Sequence, residues 1–292
     1  MLQSIDREKI RALEIRARKA LSGSGQGRAG GILRGMGLEF SGLREYQPGD
    51  DIRHLDWKAS ARLAKPLCRE FLHDRETTLL ILFDGSSGMD FGPQVSKREM
   101  AAEIALILGL AAILRGNRLA FALVNEGVRQ FIPPTRDEEK LRWMAAEMLE
   151  QKPEKKAIWP SPWDFLTHGP IKRSLAIFLS DFWSPVPGRA GQAALFHDLH
   201  FFRVLSNAEI SPPGKLDAWV NQPGENKPFL LPWSSNSFHQ EYLRRFAAHR
   251  EKLISHCAQS GIGFLDLCQG GDPMEIMARY FRQSPRVAKA KT

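Results

Sequence analysis

The chain has 292 residues, with 41 Lys and Arg against 33 Asp and Glu for a formal charge of +8, and 43% of its residues are hydrophobic. That length fits one substantial domain carrying an extension, and Cys68, Cys257 and Cys268, far apart and in no CxxC pattern, read as reduced thiols that support neither a disulfide frame nor a zinc site. The positive balance invites a nucleic-acid reading, but the bases are interleaved with acids except in the first helix and the C-terminal SPRVAKAKT, and that spread argues against a phosphate track.

The opening MLQSIDREKIRALEIRARKA is charged throughout and no later apolar run is long enough for a bilayer, so a cytoplasmic chain without a membrane span is expected. Ile10, Leu13, Ala17 and Leu21 recur near helical spacing and predict one amphipathic helix over 5–21. Gly25 to Gly30 satisfies GxGxxG, yet a charged helix precedes it where a strand is required, so this stretch reads as a linker. TTLLILFD, residues 77–84, is an apolar run ending in a carboxylate, as in a parallel strand covered on both faces. Ser96 and Glu99 form a capping box for a helix to Leu114 that Gly116 closes. The strand 119–124 then turns through Asn125-Glu126-Gly127 into VRQFI.

Thr135 and Glu138 make a second box, followed by a core stripe of Leu141, Met144, Ala145, Met148 and Leu149. LAIFLSD, 175–181, is another strand ending in an acid, and FFRVL, 201–205, follows a short helix. The stretch 216–231 predicts an edge hairpin, and Ser237 with Gln240 caps a long helix ending before Gly261. GFLDL is the last strand, and Asp272, Pro273 and Glu275 open the last helix. This alternation predicts an α/β fold with a doubly wound, mostly parallel sheet. In Pro-rich AIWPSPWDF, Trp159 and Trp163 are candidates for a contact patch or for the core.

In such a sheet the functional crevice lies outside the carboxyl ends of the strands, where Asp84 and Asp181 both fall, with Ser86 and Ser87 beside the first. Clustered hard oxygen donors suit magnesium, whereas the plain structural alternative is that both acids cap turns. FDGSSGM resembles the DxSxS metal-adhesion loop of von Willebrand factor A-type domains, with Asp84, Ser86 and Asp181 matching ligand positions. Gly88 replaces the second serine, and KPEKKAIWP lacks the expected threonine, since Thr135 and Thr167 sit in other contexts. The resemblance therefore implies a degenerate magnesium site, weak or vestigial.

GLEFSGLREYQPGDDIRHLDWKASARLAKPLCREF is similar, nearly residue by residue, to the signature of the bacterial family called domain of unknown function fifty-eight, and the likeness continues through SKREMAAEIA, PPT and LSDF. It implies an N-terminal extension over 1–76, a von Willebrand factor A-like domain over 77–284 and a basic tail over 285–292. It further implies an accessory of MoxR-type AAA+ ATPases that helps mature or assemble other complexes. Within the signature, Arg44, Arg53, Lys58 and Arg62 are balanced by Glu45, Asp50, Asp51 and Asp56, while Tyr46 and Trp57 offer large buried areas. The segment reads as an ion-paired brace, alone or with a docking role, and suits a polyanion poorly.

Enzymatic readings are weaker. His54 with Asp56, His73-Asp74 and His197-Asp198 lack the helical cage of a metal-dependent hydrolase. A magnesium-dependent phosphoesterase using Asp84 as nucleophile needs a second acid two residues on, where Ser86 stands. The expectation is a non-enzymatic interaction protein.

Overall fold

Along each central strand, alternate side chains point to opposite faces of the sheet. Leu79, Ile81 and Phe83 therefore join one buried cluster, and Leu80 and Leu82 the other. The computed structural model describes residues 4–23, 42–46, 60, 65–70, 77–93, 95–150, 157–212, 217–221 and 228–283. Helix α1 (Ser4–Gly23) comes first, followed by an antiparallel ribbon of β1 (Gly42–Glu45) and β2 (Leu67–Glu70). Next are β3 (Thr78–Asp84), α2 (Lys97–Leu114), the hairpin β4 (Arg118–Asn125) and β5 (Gly127–Thr135), α3 (Glu138–Leu149) and α4 (Pro162–His168). Then come β6 (Leu175–Ser180), α5 (Arg189–Phe196), β7 (Asp198–Leu205) and α6 (Asn207–Ile210). The ribbon β8 (Ala218–Asn221) and β9 (Pro228–Leu231), α7 (Asn236–Ser260), β10 (Gly263–Cys268) and α8 (Pro273–Gln283) complete the order.

The central six-stranded sheet runs β10-β7-β6-β3-β4-β5, parallel except for the antiparallel edge strand β5. This is the mostly parallel α/β sheet expected from the strand and helix alternation. Chain order reverses at β3, with β4 and β5 to one side and β6, β7 and β10 to the other. Residues from α1, α2, α3 and α8 fill the first cluster, and residues from α4, α5 and α7 fill the second. Each fully buried Leu, Ile or Phe on these faces contributes about 1.5–3 kcal/mol relative to exposure. Cys257 is a free, buried thiol whose pKa burial pushes up to about 12, so it behaves as a small apolar side chain.

Several boundaries differ from the sequence expectation. Helix α2 begins at the expected cap, with Ser96 Oγ accepting from the Glu99 N–H at 3.2 Å, while the Glu99 carboxylate pairs with Lys9 of α1, and Gly116 beyond the helix end has φ +76°. Helix α3 is capped by Asp137, whose Oδ1 accepts from the Glu139 N–H at 2.8 Å, because Thr135 is still part of β5. Helix α7 is capped by Ser235, two residues ahead of Ser237. The 216–231 hairpin forms its own ribbon, off the central sheet. Trp163 is buried against Phe178 and Phe201, and Trp159 is half-buried against Phe165, so both serve the second core cluster.

Candidate functional site

Strands β3 and β6 are adjacent and parallel, with Phe83 opposite Leu179, so Asp84 and Asp181 reach the same carboxyl-end rim at the switch point of the sheet. Asp84 is engaged on both oxygens: Oδ1 accepts the Ser86 N–H at 2.9 Å and Oδ2 accepts the Ser180 hydroxyl at 2.6 Å. Ser180 Oγ in turn accepts the Phe182 N–H at 3.0 Å. Phe182 has φ +52°, a left-handed conformation that costs a non-glycine residue roughly 1–2 kcal/mol. Stacking on Phe201 at 4.5 Å and the His249 ring nitrogen on its carbonyl at 2.9 Å hold it there.

The loop after β3 continues into a short 3-10 turn, Ser87–Asp90, anchored by buried Met89. Arg98 fastens this loop to α3. Its guanidinium lies 5.5 Å from the Phe83 ring centre and donates to Asp90 at 2.5 Å, to the Met148 carbonyl at 3.0 Å and to the Gly85 and Ser86 carbonyls at 3.3 Å. A Cβ on Gly88 would lie 2.8 Å from Asp181 Oδ2 and 3.7 Å from Ser86 Oγ. Gly88 therefore leaves Asp181 the space that a serine would take.

The residue that sequence reasoning missed is Lys97, the first of α2, which is 1% exposed. Its ammonium donates to Asp181 Oδ2 at 2.7 Å and to Glu209 Oε1 at 2.8 Å, and both acids are themselves buried. The remaining lone pairs are also used: Asp181 Oδ1 accepts the Trp183 N–H at 3.2 Å, Glu209 Oε1 the Trp183 indole N–H at 3.1 Å, and Glu209 Oε2 the Ser206 N–H at 2.8 Å. Two exposed aromatic rings border this buried chain. Phe91 has its ring centre 5.8 Å from Lys97 Nζ, and Trp183 stacks on His249 at 4.7 Å. One signal for Lys97 exists in the sequence: a lysine at the first position of a helix opposes the helix dipole, so it needs a carboxylate partner when buried.

Magnesium takes six oxygens in octahedral array, one or two of them from carboxylates that are free to coordinate and the rest largely from water. Here Asp181 Oδ2 is shared with an ammonium, Asp84 bonds to Ser86 and Ser180, and Gly88 has no oxygen to offer. Thr135 pairs with Leu119 at the opposite end of the sheet, and Thr167 Oγ1 donates to the Trp163 carbonyl at 3.0 Å within α4. Among the described residues, no group of three or more His, Cys, Asp or Glu is placed to hold a metal. As arranged, the donor set does not fit a resident magnesium ion.

Of the signature residues, Arg44 and Glu45 lie on β1, opposite Cys68 and Leu67 of β2, and half-buried Tyr46 donates its N–H to the Pro66 carbonyl at 2.9 Å. The two ends of the signature are thereby held side by side. Asp50, Asp51, Arg53, Asp56, Trp57, Lys58 and Arg62 lie outside the described residues. No helix among the described residues is long and apolar enough to cross a membrane.

The chain is 26% identical to an uncharacterized protein of Mycobacterium tuberculosis, over 96% of this chain and 90% of that one. It is 43% identical to an uncharacterized protein of Bacillus subtilis over 54 residues, 18% of this chain and 14% of that one. Among solved structures, it is similar to a conserved hypothetical protein, BatB, of Bacteroides thetaiotaomicron (TM-score 0.43, 13% identity, 73% of this chain and 99% of that one). An aerotolerance-related membrane protein of Bacteroides fragilis matches with a TM-score of 0.40 and 12% identity, over the same shares of the two chains. Residues 42–252 match the family described as protein of unknown function DUF58, and this chain belongs to it.

Proposed function

We propose that the protein is a non-enzymatic interaction protein, an accessory of a MoxR-type AAA+ ATPase in the maturation or assembly of other protein complexes. The ATPase partner follows from the family resemblance of the signature segment. A von Willebrand factor A-like reading of the domain is supported by the placement of the FDGSSGM loop beside Asp181 at the switch point of the sheet. The observation that carries the adaptor reading is the engagement of Asp84. A phosphoesterase would need it as a free nucleophile, yet both oxygens accept hydrogen bonds and Ser86 stands where the acid would be. The rim instead presents Phe91 and Trp183, exposed aromatics of the kind that anchor protein interfaces.

The test is affinity purification of the full chain from its source bacterium, with bound ATPases identified by mass spectrometry. The expected outcome is recovery of an AAA+ ATPase that falls at least tenfold with Phe91→Ala/Trp183→Ala, while circular dichroism shows a retained fold. Recovery that does not depend on these rings, or magnesium-dependent phosphatase turnover abolished by Asp84→Asn, would overturn the reading.

A further inference from the structure

The acid-and-hydroxyl loops at this rim imply a cation, and the position of Lys97 answers what supplies it. We propose that the Lys97 ammonium is the resident cation of the site, covalently tethered through α2, and that the rim works without a divalent metal ion. The proposal stands on the geometry around Lys97 and holds independently of the adaptor reading.

Three observations converge on it. First, a lysine at the start of a helix meets the positive end of the helix dipole, and full burial removes it from water. Lys97 accepts both penalties at 1% exposure, so strong compensation has to come from its surroundings. Second, that compensation comes from the acid that the adhesion-loop resemblance assigns to a metal. Asp181 Oδ2 lies 2.7 Å from Lys97 Nζ, and Glu209 Oε1, from the short helix α6 after β7, lies 2.8 Å away on the same ammonium. Two buried carboxylates bridged by one cation form the arrangement that a bound ion would otherwise create, with the Phe91 ring adding a face toward the charge.

Third, Gly88 is matched to Lys97. The serine expected at position 88 would place its Cβ 2.8 Å from Asp181 Oδ2, inside ordinary contact distance, and would displace the carboxylate from the ammonium. Gly88 is therefore compatible with the Lys97–Asp181 pair in a way that a serine at that position is not, unless the carboxylate end shifts. A simple structural ion pair would explain the bonds of Lys97. It would not explain why the pair consumes the metal-ligand acid and why the adjoining ligand position is vacated toward it.

The experiment uses the full chain and manganese or magnesium chloride as the probe. Isothermal titration of the wild type should show no binding up to millimolar metal, and EDTA should leave its melting temperature unchanged. Sub-millimolar stoichiometric binding with Lys97 intact would overturn the proposal. In Lys97→Ala the melting temperature should fall by roughly 10 °C, because two buried acids lose their counter-charge. Millimolar manganese, or ethylammonium chloride at a concentration where sodium chloride has no effect, should then recover at least half of that fall. A folded Lys97→Ala protein that neither cation stabilises more than it stabilises wild type would also overturn it. Should Lys97→Ala fail to fold, Lys97→Gln carries the same comparison, and the wild-type titration decides by itself.

Discussion

His197 shows how a single side chain ties pH to stability. It is buried between α5 and β7, with a ring nitrogen 2.6 Å from the Leu166 carbonyl and the other 2.8 Å from Ser174 Oγ. A carbonyl only accepts, so Nε2 carries the proton, and the neutral ring then accepts the Ser174 hydroxyl at Nδ1. Burial lowers the His197 pKa below its ordinary 6.5, although the Leu166 bond opposes this. The unfolded chain therefore takes up the proton more readily than the folded one. The contribution of His197 is complete above the unfolded pKa and is lost as pH falls through it toward the lowered folded value. Urea midpoints should drop on acidification from pH 7 to pH 5, and His197→Gln should remove part of that slope. The histidine was visible in the sequence only as half of a His197-Asp198 pair, because nothing local indicates that its partners are Leu166 and Ser174. Lys97 was hidden for the same reason: a lysine next to a capping serine ordinarily faces water, and the acids that bury it lie 84 and 112 residues on.

At the scale of elements, α1 illustrates both what periodicity reveals and what it leaves open. Its spacing marked Ile10, Leu13 and Ala17 as one face, and that face is buried in the first core cluster against α2 and α3. Charged pairs frame the contact: Lys9 with Glu99, Arg16 with Glu103 at 3.2 Å, Arg18 with Glu138, and Arg142 with Glu14 at 3.4 Å. In each pair a largely exposed base meets a half-buried acid, and partly exposed pairs of this kind contribute about 0–1 kcal/mol each, so the apolar stripe dominates. Leu13→Ala should cost about 2–5 kcal/mol in urea unfolding, whereas Arg16→Ala should stay within about 1 kcal/mol. Equal losses from the two would mean that charge seats the helix. The amphipathic pattern could not name α2 and α3 as its partners, since a helix face carries no address. Helix α4 escaped for a different reason. The Pro-rich AIWPSPWDF was weighed only for its two tryptophans, although Ser161 as N-cap with Pro162 at the first helical position is a helix-start signal.

For the whole molecule, the sheet divides the interior into two layers that share little besides backbone. The continuous apolar runs of β3 and β6 announced burial on both faces, and with the strand and helix alternation this made the α/β class legible. Their spatial order was not, because parallel strands of similar composition carry no pairing code, and the adjacency of β3 and β6 that joins Asp84 to Asp181 is a long-range fact. The division into layers has a thermodynamic consequence. Ile107 on α2 belongs to one cluster and Leu253 on α7 to the other, with no residue common to both clusters. Ile107→Val should cost about 0.5–1.5 kcal/mol and Leu253→Ala about 2–5 kcal/mol. Two independent layers require the double variant to lose the sum within about 0.5 kcal/mol in urea titrations. A coupling above about 1 kcal/mol would show that repacking one face is transmitted through the sheet to the other. The rim that carries Lys97, Asp181 and Glu209 would then be sensitive to changes in either layer.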